Sequence, residues 1–158
     1  LVDGAVVKIQ DDELKTLCSR LNEMALSPDE RKSLLASIGE EIMTQTKDRL
    51  AEKKTPDGDD WADIADSTKA YYRKKFGTEN PGNGILWRQG GLMDSLAHEE
   101  NSWRVIAGAT KIYAAVHQLG WRQRSIAARP YLGLGDDDKA EITAMINLRL
   151  EEKTGAKS

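Results

Sequence analysis

The sequence contains very little of the residue types that define several specialised protein classes. Its single cysteine, Cys18, excludes an internal disulfide, and without a CxxC motif or clustered histidines we expect no zinc site. We expect Cys18 to be a small buried apolar residue. The apolar runs are far shorter than the roughly 20 residues that cross a bilayer, and no charged-then-apolar signal segment opens the chain. We therefore expect a protein that is made in the cytosol and does not enter a membrane.

The composition that remains is typical of one globular domain. Hydrophobic residues make up 39% and charged residues 31% of the 158 residues, which lies on the polar side of the globular range. The length is that of one ordinary domain. We expect residues 1–158 to fold as a single domain with a modest core.

The charge is distributed unevenly along the chain. From Asn101 to Gly135 there is no Asp or Glu. That stretch carries five positive charges and the rest of the chain a net charge of −8, against −3 for the whole. The five cations are Arg104, Lys111, Arg122, Arg124 and Arg129. One region could therefore meet an acidic partner or a phosphate backbone while the rest stays acidic.

A short strand and two consecutive helices are predicted in the N-terminal part. Alternation over Ala5 to Ile9 favours the strand. The first helix has one apolar face, formed by Leu14, Leu17, Leu21 and Met24. The second begins at Ser27, with Pro at the first helical position and Glu30 closing a capping box, and runs to about Lys53. Its apolar stripe consists of Leu35, Ile38, Ile42 and Leu50.

The middle of the chain is predicted to form a turn, a short helix and a hairpin. Pro and Asp-Gly in Thr55 to Trp61 indicate the turn. Ser67 is predicted to cap a basic helix that ends at Phe76, followed by a loop over Gly77 to Gly84. Strands at Ser95 to Glu99 and Trp103 to Ala109, joined by Asn101-Ser102, indicate a β-hairpin.

The C-terminal part is predicted to contain an extended segment and a final helix. Tyr113 to Leu119 is a short helix or strand, and Pro130 forces Arg129 out of the helical region, so Ile126 to Leu132 is extended. A helix follows from about Asp137 to Lys153, with a buried face of Ile142, Met145, Ile146 and Leu150. The fold class is therefore α+β. Long N-terminal helices and the C-terminal helix pack on a small antiparallel sheet made of the hairpin and Ile126 to Leu132.

The residues offer no catalytic, metal or cofactor site. Neither His98 nor His117 accompanies a nucleophile motif, so we expect an exposed polar face for His98 and packing or an interface contact for His117. No glycine-rich phosphate loop is present. The acids of Asp57 to Asp60 lack the calcium-loop spacing and are expected to form a solvated turn, and Asp136 to Asp138 are expected to start a helix. We expect no enzyme.

The acid-free stretch allows two functional interpretations. Trp121 beside Arg122 and Arg124 offers cations and a stacking ring, which backbone and single-strand binders use. An arginine-bearing loop that meets a neighbouring subunit explains the same residues, because arginine and tryptophan are enriched at interfaces. We favour the interface and keep nucleic-acid binding by the Arg104 to Arg129 stretch as the alternative.

The chain carries seven short motifs, which are Pro56-Asp57-Gly58 with Trp61, Ser67-Thr68-Lys69, Ile85-Leu86, Gly91 to Ser95, Val105 to Gly108, Tyr113 to Gly120 and Ala127 to Gly133. Taken in this order, they resemble the phage virion morphogenesis, or tail completion, family of Mu-like and P2-like phages and their prophages. Each motif is weak alone, but all seven occur in the family's order. The similarity covers nearly the whole chain.

The resemblance implies a structural protein of the virion neck that completes the tail or joins it to the head. It implies a homo-oligomeric ring, assembled in the host cytoplasm, that contacts the tail tube or sheath and head-connector proteins and lies near phage DNA. Rings need a projecting element on one subunit that meets a different surface on the next. Our candidates for that element are Trp121, Arg122, Arg124, Arg129, Pro130 and Tyr131.

Overall fold

A computed structural model describes residues 5–6, 16, 19, 23, 26–80, 85–86 and 90–155. The strands are β1 (Ala5–Val6), β2 (Leu96–Glu100) and β3 (Val105–Ala109). The helices are α1 (Pro28–Glu52), α2 (Asp66–Phe76), α3 (Ala114–Leu119) and α4 (Asp136–Thr154). These elements confirm the predicted α+β class. Cys18 and most of the predicted first helix lie outside the described residues.

Helix α1 begins and ends as its sequence predicts. The Ser27 hydroxyl accepts a hydrogen bond from the Glu30 amide, and the Glu30 carboxylate accepts one from the Ser27 amide at 2.7 Å. Lys53 ends the helix in the left-handed conformation. The predicted stripe is buried at Leu35, Ile38 and Leu50. Reciprocal capping therefore fixes the start of the longest helix in the described chain.

The core consists of two clusters that share α1. Helix α4 runs antiparallel to α1, since Asp138 bonds Arg49 and Lys153 bonds Glu30. Between these contacts lies the first cluster, formed by Leu26, Leu34, Leu35, Ile38, Ile142 and Ile146. The second cluster lies at the C-terminal end of α1 and contains Leu50, Trp61, Leu92, Ala109, Ala114, Tyr131 and Leu132. Burial of Ile142 and Ile146 confirms the predicted inner face of α4.

The sheet is antiparallel, with the strand order β1-β3-β2. Leu96 lies opposite Ala109 and Glu100 opposite Val105, which confirms the hairpin. The connection is wider than the predicted Asn101-Ser102 turn, because it spans residues 101–104 and the second strand begins at Val105 rather than Trp103. The hairpin packs on α1 at Gly39, where a Cβ atom would lie 2.6 Å from Cδ2 of His98. The expectation of an exposed His98 was wrong. Its ring is half-buried because α1 covers that face of the sheet.

Two further predictions need correction. Ile126 to Leu132 does not join the sheet, which consists of β1, β3 and β2. The segment is extended, but its backbone bonds the His117 carbonyl and the side chains of Gln118 and Trp61 instead of a strand. Helix α2 begins at Asp66 rather than after a Ser67 cap, and Ala65 precedes it without a side-chain cap.

Candidate functional site

Helix α3 separates an inner face from an outer face. Ala114 and Gln118 are buried against the second cluster. On the opposite side, Val116 and Leu119 lie three residues apart on one face of the helix, and Ile112 lies in the turn that leads into it. Ile112 is 80% and Leu119 76% exposed. These three residues therefore form an apolar surface in which Ile112 and Leu119 are exposed and Val116 is half-buried.

A tight loop continues this surface beyond the end of α3. The amide of Trp121 donates to the Ile126 carbonyl at 2.8 Å, and the amide of Ile126 donates back at 3.0 Å. Gly120 allows the turn because its φ is +75°, and a Cβ there would lie 2.8 Å from the Ala128 amide nitrogen. An open depression of about 460 Å³ lies beside the loop. Its lining residues are Leu119, Gly120, Trp121, Arg122, Ser125, Ile126, Ala127 and Ala128.

Three exposed cations surround these apolar side chains. Lys111 precedes Ile112, and Arg122 and Arg124 belong to the loop. The Arg124 guanidinium stacks 4.6 Å from the centre of the Trp121 ring. None of the three cations forms an ion pair with a carboxylate in the part of the chain that the structure describes. We call Lys111, Ile112, Val116, Leu119, Trp121, Arg122 and Arg124 the α3 surface.

Arg129 and Pro130 fix the extended segment to the loop that follows α1. Arg129 is only 6% exposed. Its Nε donates to the Ala62 carbonyl and its Nη2 to the Asp63 carbonyl, both at 2.8 Å. The Trp61 indole donates to the Pro130 carbonyl at 2.8 Å. Burial lowers the pKa of the Arg129 guanidinium, and the Asp63 charge opposes that effect.

The Gln118 side chain takes the place of a neighbouring strand for this segment. Its Oε1 accepts from the amides of Tyr131 and Leu132 at 3.0 Å each. Its Nε2 donates to the Leu132 carbonyl at 2.8 Å. Tyr131 is fully buried, and its hydroxyl donates to the Ala114 carbonyl. Burial raises the pKa of that phenol.

Arg49 holds the end of the segment at the start of α4. It donates to the Gly133 carbonyl at 2.9 Å and to Asp138 at 2.8 Å. Asp138 also accepts from the Gly135 amide at 2.6 Å. Burial lowers the pKa of Arg49, and the Asp138 charge raises it. Arg49 was not among the predicted functional residues, although it follows the stripe residue Ile42 by seven positions and so shares its face of the helix.

The six interface candidates therefore fall into two groups. Trp121, Arg122 and Arg124 are exposed on the loop, whereas Arg129 and Tyr131 are buried and Pro130 is half-buried. The first group is available to a partner. The second group connects the loop to α1, α3 and the turn at Trp61. Gln118, Trp61 and Arg49 complete that support.

The rest of the described chain adds no second kind of site. Tyr113 and His117 make an edge-to-face contact with ring centroids 5.9 Å apart, which confirms the predicted packing role of His117. Burial and the Arg129 charge lower the pKa of His117. Among the described residues, no three His, Cys, Asp or Glu side chains are grouped to hold a metal ion. Nor is any helix among them both long and apolar enough to span a membrane.

Two curated proteins are similar to the chain. "Mu-like prophage FluMu G protein 1" of Haemophilus influenzae is 34% identical over 103 residues, which cover 65% of this chain and 67% of that protein. "Putative capsid assembly protein G" of Escherichia phage Mu is 32% identical over 116 residues, covering 69% and 72% respectively. No solved structure matches. Residues 11–151 match the phage virion morphogenesis family, and because this match spans most of the chain, the protein belongs to that family.

Proposed function

We propose that the protein is a non-enzymatic structural component of the virion neck, which completes the tail or joins it to the head as a ring of identical subunits. The ring assembles in the host cytoplasm and remains in the virion, in contact with the tail tube or sheath and with head-connector proteins. Residues 1–158 act as one domain. The observation that carries the proposal is the α3 surface, which is apolar and cationic, exposed, and supported by buried contacts.

The composition of this surface favours a protein partner. Leu119 and Ile112 are among the most exposed large apolar side chains of the described chain. Contiguous exposed apolar side chains with a polar rim are typical of interaction sites. Tryptophan and arginine are the residues most enriched at the energetic centres of interfaces. The family membership and the name of the phage Mu relative support a role in virion assembly.

The support behind the surface also fits this role. Arg129, Gln118 and Arg49 hold the extended segment through buried hydrogen bonds. The loop therefore projects from a rigid base, which lowers the entropy that a subunit contact must overcome. A protein that assembles repeatedly in one geometry needs such a preorganised element.

Deletion of the gene from the phage or prophage tests the proposal. Electron microscopy of the lysate should show free tails beside full heads if the protein joins them, or over-long tails if it ends tail growth. Purified protein, alone or added to tails, should form closed rings. Intact infectious particles from the deletion strain, together with protein that stays monomeric in both settings, would refute the proposal.

Nucleic-acid binding remains the second candidate because Arg104, Lys111, Arg122 and Arg124 are exposed. Arg129 cannot contribute a phosphate contact, since its donors are used inside the chain. This function predicts binding to DNA that weakens as salt rises and drops when Arg122 and Arg124 become Ala. DNA binding that does not change with salt concentration would refute this second function.

A further inference from the structure

The outer face of α4 presents a second exposed surface with the opposite charge. Asp137, Glu141, Ala144 and Leu148 are all exposed and follow one another at spacings of four, three and four. That spacing places them on one stripe, opposite the buried Ile142 and Ile146. Leu148 is 59% exposed. We call these four residues the α4 outer stripe.

Charge and polarity make the two surfaces complementary. The α3 surface has apolar side chains bordered by three cations. The α4 outer stripe has Ala144 and Leu148 bordered by Asp137 and Glu141. Neither of these acids pairs with a cation in the described chain. Two surfaces of opposite charge that each contain exposed apolar groups fit the pattern of an apolar centre with a charged rim.

The two surfaces also lie on different parts of the subunit. The α3 surface covers the second cluster, at the C-terminal end of α1. The α4 outer stripe lies on the far side of the helix that covers the first cluster. A contact between two different surfaces of identical subunits is heterologous, and it generates a ring when the rotation closes.

We propose that the α3 surface of one subunit docks on the α4 outer stripe of the next. Ile112, Leu119 and Trp121 contact Ala144 and Leu148, while Arg122 and Arg124 lie against Asp137 and Glu141. This inference rests on the proposed ring and supplies its subunit contact. The apolar centre provides most of the affinity, and the charges select the partner and the register.

Reversing the charge on each side tests the contact. One variant carries Arg122→Glu and Arg124→Glu, and the other carries Asp137→Lys and Glu141→Lys. In either variant alone, like charges meet at every contact, so we expect association to weaken by at least about tenfold. Each variant is expressed in a strain that lacks the gene, and infectious titre and ring formation are measured.

Mixing the two variants gives the decisive measurement. The reversed loop of one variant meets the reversed helix of the other, and the unchanged surfaces also meet. Co-expression, or a single chain carrying all four substitutions, should therefore restore titre. Mass spectrometry of the mixed rings should show the two variants in equal numbers. Lys32→Glu with Lys47→Glu, on exposed positions of α1, is the matched control and should leave titre unchanged.

Folding is checked before assembly is compared. Asp137 lies in the first turn of α4, where a lysine opposes the helix dipole. If the variant with both substitutions melts at a lower temperature than the wild type, Glu141→Lys alone is used in its place, because Glu141 lies beyond the first turn. Thermal melting of every variant is recorded with the titre.

The outcomes separate the docking contact from the ring itself. If the deletion strain loses infectivity but the α4 variant keeps wild-type titre, or the mixture stays defective, the docking is wrong and the proposed function stands. If the deletion strain keeps its infectivity, the proposed function fails. The proposed contact is supported if each variant alone loses infectious titre and the mixture of the two recovers it.

Discussion

Arg49 Nη2 lies 2.8 Å from Oδ2 of Asp138, 89 residues later in the chain, and both side chains are buried. The same guanidinium bonds the carbonyls of Tyr131 and Gly133. One side chain therefore joins α1, the extended segment and the start of α4. Because each buried charge has the other as its ion-pair partner, this pair should determine how stably the α3 surface is held.

Replacing Arg49 with Met should be strongly destabilising. The change leaves the Asp138 carboxylate buried without its cation and two carbonyls without a donor. We expect the free energy of unfolding to fall by about 3 to 5 kcal/mol. Urea denaturation followed by circular dichroism measures the change.

Arg149→Met is the control for that measurement. Arg149 pairs with Glu152 at 2.9 Å near the C-terminal end of α4, where both side chains reach solvent. An exposed pair contributes at most about 1 kcal/mol. Equal losses for the two variants would show that the buried clamp contributes nothing beyond a surface pair.

Gln118→Leu should weaken the extended segment through lost hydrogen bonds. The leucine has a similar size but leaves the amides of Tyr131 and Leu132 and one carbonyl unpaired in a buried place. We expect a loss of about 2 to 4 kcal/mol in unfolding free energy. The same change at the exposed Gln123 should stay within about 0.5 kcal/mol. A mild effect at Gln118 would mean that another group bonds this segment.

Gly120→Ala should be more destabilising than Gly77→Ala, because both its backbone conformation and its neighbours exclude a Cβ atom. Both glycines have positive φ, +75° and +71°, but ψ is 173° at Gly120 and 7° at Gly77. The left-handed conformation of Gly77 costs an alanine about 1 to 2 kcal/mol, whereas the conformation of Gly120 is one that only glycine adopts readily. At Gly77 nothing lies within 4 Å of the added Cβ, whereas at Gly120 it would meet backbone atoms of Ala128 and Ile126 below 3 Å. We expect a further loss of about 1 to 3 kcal/mol at Gly120, measured by denaturation. Similar losses at the two sites would contradict this.

Local patterns in the sequence predicted most elements of the described chain. The Ser27 to Glu30 capping box and the apolar stripe fixed α1, and the Asn101 turn predicted the hairpin. These features depend on residues within a few positions of one another. That is why the bounds of α1 agree closely with the structure and the hairpin occurs where it was predicted, although its connection is two residues longer.

Long-range pairing was beyond such patterns. Nothing local distinguishes an extended segment bonded by a strand from one bonded by a glutamine side chain, so Ile126 to Leu132 was placed in the sheet. Arg129 looked like a surface cation because arginines usually are, but it is buried against carbonyls of the loop after α1. A residue's partner 66 positions away cannot be read from its neighbours.

His117 should make stability depend on pH at and below its ordinary pKa of 6.5. Burial lowers its pKa in the folded protein below the unfolded value of 6.5. The unfolded chain then binds more protons in that interval, so stability is full above pH 6.5 and falls as the pH drops through the folded pKa. His117→Gln should flatten the dependence of unfolding free energy on pH in this window. An unchanged slope would contradict the prediction.

Arg129→Ala and Trp121→Ala should have opposite consequences, because one residue supports the loop and the other belongs to its exposed side. Arg129→Ala removes the donors to the Ala62 and Asp63 carbonyls, so we expect a loss of about 2 to 3 kcal/mol in unfolding free energy. Trp121→Ala loses a partly exposed ring and its contact with Arg124, worth about 0.5 to 1 kcal/mol.

Assembly should show the reverse order when both variants are compared at a temperature where each is fully folded. There, Arg129→Ala should form rings and Trp121→Ala should form few. If Arg129→Ala is fully stable yet fails to assemble, its side chain has a partner outside its own subunit, and the division of the candidates into supporting and contacting residues is wrong.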